Sequence, residues 1–250
     1  MGPSMRPREP ARTPETLDEA PDNRPRPNVR AAVNGGYRKG EATRRRILDA
    51  ALQAFGEASF KAITTRRIAE AACVSLPTLQ YYFGDKAGLY RACATEIVER
   101  YRRHTSSAAA QAAKALTAGC DSEGARLHLK AVIGALADLL VGSTETADWA
   151  QFVARELREP GPAFEILYET LWRPGVELTA RLIACIVGGS QENPAARIQA
   201  LLLLSSLLAF QSGRSISLRT MRWSTVGRKE LAMVLSGLNA QIEAIGLTRS

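Results

Sequence analysis

Four cysteines, none spaced as a C-x-x-C pair, leave this 250-residue chain without a zinc-ligand pattern or a disulfide framework. Cys73, Cys93, Cys120 and Cys185 stand far apart, and only His104 and His128 are available to join them. No metal site is expected, and the thiols are expected to be reduced and mostly buried, as in a cytoplasmic protein. With two histidines outside any recognisable constellation, little general acid–base chemistry is on offer. There is no G-x-G-x-x-G, no P-loop, no H-E-x-x-H and no nucleophile elbow. An enzyme is therefore not expected, and no cofactor is implied. Sustained period-2 alternation bounded by turns is also missing, which argues against a sheet. The N-terminus lacks the apolar run of a secretory signal. The most apolar stretch, Ile198 to Phe210, lies within 16 residues between Arg197 and Arg214. As a helix those residues span about 24 Å, short of a hydrocarbon core of ~30 Å. Gln199, Ser205, Ser206 and Gln211 point the same way, to a buried helix with no membrane partner.

What the chain does have is apolar residues at helical spacing, which predict an all-α fold. Its basic charge is uneven: residues 1–104 hold 19 Lys/Arg against 12 Asp/Glu, residues 105–250 hold 14 against 13. Seven of the twelve prolines fall in residues 1–38, where large aliphatic side chains are scarce. Such a segment cannot offset its ordering entropy by burial, so 1–38 is expected to be a disordered tail, ending in the flexible joint Asn34-Gly35-Gly36. Its arginines have two readings, a solvated tail or a basic arm reaching a minor groove. Helices are expected at about 41–56, 65–72, 76–83 and from Lys86 onward behind an Asp85 cap. The Ala-rich stretch 106–115 either extends this last helix or opens another. Further helices are expected at about 125–141, 144–158, 162–187, 194–212 and 227–245, with Pro174 kinking or dividing the third.

Residues 64–83 are the most informative. Two short helices are joined by a turn of about three residues, each with a start signal. Thr65 and Ser75 are suited to accept the backbone N–H groups that a helix start leaves unpaired. Pro77 is tolerated in the first turn of the second helix. Ile68, Ala69, Ala72, Val74 and Leu79 let the pair pack closely, while Thr78, Gln80, Tyr81 and Tyr82 make the second helix rich in hydrogen-bonding groups. This is a helix-turn-helix whose second helix suits a DNA major groove.

Residues 43–91 resemble the DNA-binding domain of the TetR family of transcriptional regulators. The matching pieces are Thr43-Arg44-Arg45-Arg46-Ile47-Leu48-Asp49-Ala50-Ala51, Phe55, Thr64-Thr65-Arg66-Arg67-Ile68-Ala69, Val74-Ser75-Leu76-Pro77-Thr78-Leu79 and Tyr82-Phe83-Gly84-Asp85-Lys86-Ala87-Gly88-Leu89-Tyr90. Arg155-Glu156, Pro160, Phe164, Tyr168 and Pro174 resemble the regulatory domain of one TetR-like subgroup. Cys73 stands where the family's turn usually has Gly, so a left-handed conformation is expected there, at a cost of about 1 kcal/mol. Gln80 replaces a common Tyr, which should alter base preference. The resemblance implies a tail at 1–38, a three-helix helix-turn-helix domain at 39–90 and a helical-bundle ligand-binding and dimerisation domain at 91–250.

On this reading Thr78 and Gln80 read bases, since Gln pairs bidentately with adenine and a Thr methyl packs on that of thymine. Arg66 reaches a guanine edge or a phosphate. Thr65, Ser75, Tyr81, Tyr82 and Lys86 hold phosphates of double-stranded DNA, with Pro77 on the same face. For Tyr81 a second reading stands beside this one: packing between the first and fourth helices. One such unit contacts too few bases, and two copies on a palindrome solve that. Leu201, Leu204, Leu208, Leu231, Val234, Leu235, Leu238 and Ile242 would form the homodimer surface, largely as the resemblance implies. Helix bundles bind small molecules in mostly apolar cavities; the candidate wall is Trp149, Phe152, Phe164, Tyr168, Trp172 and Trp223, with Arg155 and Glu156 as anchors. The resemblance implies a repressor released by an effector that the sequence does not name. The competing reading is a helical adaptor that binds protein without reading DNA sequence.

Overall fold

The computed structural model describes residues 1–2, 29–143, 146–190 and 193–246, with the backbone alone at 29–38 and 146–148. Every regular element among them is helical, as the apolar spacing predicts. The chain divides into two units, residues 1–40 and Glu41–Ser250. Of the tail expected at 1–38, residues 3–28 lie outside the described residues.

Helix α1 runs Val29–Glu57 and so takes in the last ten residues of the expected tail. Past Pro27 no proline interrupts the chain, and helix continues through Asn34-Gly35-Gly36 although each glycine costs about 1 kcal/mol relative to Ala. Its buried stripe (Ile47, Leu48, Ala51, Leu52, Phe55) forms the floor on which two short helices sit, α2 (Thr65–Ala71) and α3 (Leu76–Phe83). The cap of α2 is Thr64 and not Thr65: Thr64 has the extended backbone and its Oγ1 accepts from the Arg67 N–H at 3.3 Å. Ser75 caps α3 as expected, accepting from the Thr78 N–H at 3.2 Å.

The turn between them closes as the left-handed helix ending requires. Cys73 has φ +51°, its N–H donates to Glu70 O, and the Val74 N–H donates to Ala69 O, both at 3.0 Å. A non-glycine residue therefore occupies the strained corner.

Asp85 caps α4 (Lys86–Thr117), accepting from the Gly88 N–H at 2.6 Å. The Ala-rich stretch prolongs this helix instead of opening another. At 32 residues α4 crosses the boundary expected at residue 90, so reading head and bundle share one rod. Behind it come α5 (Ser122–Ala137) and a π-helical turn (Asp138–Gly142), then α6 (Thr146–Arg158) and the single turn α7 (Phe164–Leu167). A second π-helical turn (Tyr168–Trp172) leads into α8 (Arg173–Ile186). Pro174 stands in the first turn of α8, where its ring would press on the carbonyl four residues back; the π-helical turn shifts that carbonyl, and the expected division falls here.

Helices α9 (Pro194–Gln211), α10 (Arg214–Met221) and α11 (Arg228–Ala244) complete the chain. Helix α5 is central, packed against α4, α8 and α11, and α8 packs on α9. Arg126 of α5 donates to the last carbonyls of α11, including Glu243 O and Ile245 O, each at 3.2 Å. Helix α10 was not expected. By length and composition α9 is long and apolar enough to cross a membrane. It is buried on one face only: Ala196, Ala200, Leu203, Leu207 and Gln211 face inward, while Ile198, Leu201 and Leu202 face outward.

Candidate nucleic-acid interface and regulatory core

Leu79 is the anchor of α3, fully buried in the core, with Phe83 partly buried against that core. That single buried side turns Ser75, Pro77, Gln80 and Tyr81 outward. Tyr81 is 84 % exposed, which removes the reading that packs it between α1 and α4. Its ring meets Tyr82 edge-on at 5.3 Å, and Tyr82 is half-buried. The Thr78 and Ser75 hydroxyls share a 2.7 Å hydrogen bond, so the cap and the expected base contact are one unit. The Gln80 side-chain amide has no hydrogen-bond partner among the described residues, leaving it free for an adenine edge.

Cations ring this face. Arg66 is exposed and makes no ion pair among the described residues; Thr65 beside it is half-buried. Lys86 is more committed than expected: Nζ lies 4.7 Å from the Phe60 ring centroid and donates to Lys61 O at 3.5 Å. Arg44 covers the Phe83 ring at 5.7 Å. Arg100 of α4 bonds Asp49 of α1 at 2.9 Å and Glu96 at 3.0 Å, locking the two long helices together.

The end of α6 grips the reading head through two adjacent residues. Arg155 Nη2 donates to Gly56 O, in the last turn of α1, at 3.2 Å. Glu156 is only 1 % exposed; Oε1 accepts the Tyr90 hydroxyl at 2.6 Å and Oε2 accepts the Gly161 N–H at 3.1 Å. A side chain at Gly161 would put its Cβ 2.7 Å from Glu156 Oε1 and displace that carboxylate. The Tyr90 ring is packed by Phe55, Phe60 and Phe152 at 4.7–4.9 Å. Burial, with the Glu156 hydrogen bond second, pushes its phenol far above the ordinary tyrosine range. Both carboxylate oxygens of Glu156 are thus engaged within the chain. The residue expected as a ligand anchor bonds α6 to α4 instead of standing free in a cavity.

The other wall candidates separate into groups. Trp149 and Phe152 are fully buried under α4, Trp149 5.1 Å from Tyr101. Phe164 stacks on exposed Tyr168 at 6.0 Å and meets Trp172 at 5.6 Å. Trp223 pairs with Phe210 at 6.4 Å. Two residues beyond the sequence reading join the first group. The buried Tyr101 lies beside Gln211, whose Nε2 is buried and has no partner among the described residues. Neither stands in a motif; only the packing of α9 behind α4 and α6 brings them together.

Of the eight dimer candidates, Val234, Leu238 and Ile242 are buried in the protomer's own core, and Ile242 has no exposure at all. Helix α11 turns that stripe onto α5, which removes these three from any outer surface. Leu204, Leu208, Leu231 and Leu235 are half-buried, and Leu201 is exposed. The outward apolar face lies instead on α9 at Ile198, Leu201 and Leu202, which the sequence reading credited only in part.

Two family profiles match this chain. Bacterial regulatory proteins of the tetR family match residues 47–93, and the C-terminal domain of the HTH-type transcriptional dual regulator CecR matches residues 125–245. The CecR regulator of Shigella flexneri is 28 % identical over 213 residues, covering 83 % of this chain and 92 % of that protein. A TetR-like transcriptional regulator from Rhodococcus sp. RHA1 shares the fold at a TM-score of 0.55 and 19 % identity, covering 83 % of this chain and 97 % of its own. AibR, solved with isovaleryl coenzyme A and operator DNA, superposes at a TM-score of 0.54 and 15 % identity, covering 79 % and 96 %.

Proposed function

Since the chain belongs to the TetR family of helix-turn-helix, DNA-binding transcriptional regulators, we propose that it is a homodimeric repressor of a palindromic operator, released by a small-molecule effector. The observation that carries this reading is the outward face of α3. Leu79 holds the helix down, Ser75 closes its start, and Gln80 and Tyr81 stand clear of the fold. Thr78 and Gln80 read base edges; Thr65, Arg66, Ser75, Tyr81, Tyr82 and Lys86 position the helix on phosphates, with Pro77 at the rim. The apolar outer face of α9 meets a second copy and sets the spacing of two heads. The protein works where its DNA is, in the cytoplasm, with no membrane, metal or cofactor in its action.

The effector enters the bundle beside Tyr101, Trp149 and Gln211. Apolar walls with one unpaired donor, Gln211 Nε2, suit a largely apolar molecule that carries a hydrogen-bond acceptor. AibR, solved with isovaleryl coenzyme A and operator DNA, supports a small-molecule effector for a regulator of this fold. Displacement of α6 moves Arg155 and Glu156, and with them Gly56 and Tyr90 at the head. The effector must favour the DNA-incompetent form; a tenfold preference per site is worth about 1.4 kcal/mol.

Selecting bound fragments from random duplexes with the purified protein tests the reading. Two inverted half-sites are expected, and compounds are then screened for release of the selected fragment. Binding with no base preference would overturn it in favour of the adaptor.

A further inference from the structure

Cys120 and Cys185, distant in sequence, meet in space. Cys120 lies in the break between α4 and α5, directly after Gly119, and Cys185 lies near the end of α8. Cys185 Sγ is 3.2 Å from the Cys120 carbonyl oxygen and 3.7 Å from that of Asp121. The Cys120 side chain is itself a hydrogen-bonding neighbour of that thiol. Both residues are half-buried and both thiols are free. The other two cysteines differ: Cys93 has no exposure, and Cys73 is exposed with no sulfur neighbour among the described residues. A disulfide forms between side chains that lie beside each other, usually with Cα atoms about 4.4–6.8 Å apart; the contacts of the Cys185 thiol place these two residues side by side.

We propose that Cys120 and Cys185 are a reversible oxidation site, at which hydrogen peroxide converts the dithiol into an intramolecular disulfide. The Cys120 thiolate attacks one peroxide oxygen, the O–O bond breaks, and hydroxide leaves, making Cys120 a sulfenic acid. The Cys185 sulfur then attacks the Cys120 sulfur. Its proton leaves with the hydroxyl as water, and an S–S bond replaces the S–O bond. Two electrons have passed from the sulfurs to the peroxide, and a dithiol reductant reverses the step. The order follows from geometry: the Cys185 S–H is the donor to the loop carbonyls, and burial with the adjoining Cys120 pushes its thiol up, so it holds its proton longer. The bond staples the end of α4 to α8 and closes the loop that contains α5, α6 and α7. Helix α4 starts at the reading head, so oxidation fixes the far end of the rod that joins head and bundle.

The test uses the full chain carrying Cys73→Ser, treated with equimolar hydrogen peroxide and digested without reductant. A linked Cys120–Cys185 peptide pair is expected, lighter by two hydrogens than the separate peptides and resolved by dithiothreitol. In Cys185→Ala, dimedone is expected to label Cys120; Cys185→Ser serves the same purpose with a smaller change of shape. Cys120→Ser should form no bridge within the chain. Both thiols remaining open to alkylation at that peroxide dose overturns the proposal, as do bridges that form only between chains.

Discussion

Cys73 holds a backbone conformation that costs a residue with a Cβ about 1 kcal/mol. Helices α4 and α8 end through the same pair of hydrogen bonds, and there the left-handed residue is Gly119 or Gly188. Cys73→Gly is therefore expected to raise stability by about 1 kcal/mol, read as a higher urea midpoint with unchanged slope. A lower midpoint would mean that the Cys73 side chain contributes packing the corner needs. Gln80 is the second informative residue, since its amide is exposed and uncommitted. Gln80→Ala is expected to remove about 1–3 kcal/mol of discrimination at one operator position, with non-specific affinity nearly unchanged. Affinities for a set of single-base operator variants measure this, and an unaltered preference profile would take Gln80 out of base reading.

Among elements, α6 touches the head through two adjacent residues. Its last turns place Arg155 on Gly56 O and Glu156 on the Tyr90 hydroxyl, so α1 and α4 are both held from a single point. Tyr90→Phe leaves a nearly inaccessible carboxylate oxygen without its donor. That is expected to cost about 1–3 kcal/mol, the penalty of an unsatisfied buried acceptor, and Glu156→Gln, whose amide NH2 must face one of the two donors, is expected to cost a similar amount. Thermal unfolding of the two variants measures both losses. A negligible loss in both would show that the ring packing of Tyr90, and not its hydroxyl, sustains the contact.

At the scale of the whole molecule, the proposed dimer needs a surface on which two copies meet. Ile198, Leu201 and Leu202 form an apolar strip on α9 that the protomer does not cover, and Leu202 is 65 % exposed. Replacing Leu201 and Leu202 together with Glu is expected to give a folded monomer, because neither side chain is spent on the core. Light scattering after gel filtration reads the mass, and circular dichroism reads the fold. A dimer surviving both substitutions would move the interface off α9. The monomer should also bind its operator more weakly than the dimer, since one head alone reads half a site.

Much of this was fixed by local chemistry that a sequence displays. Ser75, Pro77 and Asp85 mark helix starts by the groups they offer the backbone, and α3 begins and ends where they predict. Helix-period stripes announced an all-α fold, and the missing glycine at Cys73 announced its left-handed corner. Local chemistry also misled by one residue at Thr64 and Thr65, two equivalent hydroxyls of which only the one with extended backbone caps α2. Helix α10 was hidden because Ile216, Thr220 and its serines are weak helix formers; packing on α9 and the 2.6 Å bond from Ser217 Oγ to Ala209 O sustain it. Periodicity shows that a stripe is apolar but not what covers it. Only the packing of α11 on α5 assigns Val234, Leu238 and Ile242 to the core and leaves Leu201 and Leu202 outside. The same holds for Tyr90 with Glu156 and for Cys120 with Cys185. Each pair is separated by more than sixty residues, and no rule of spacing brings such groups within hydrogen-bonding distance until the helices have packed.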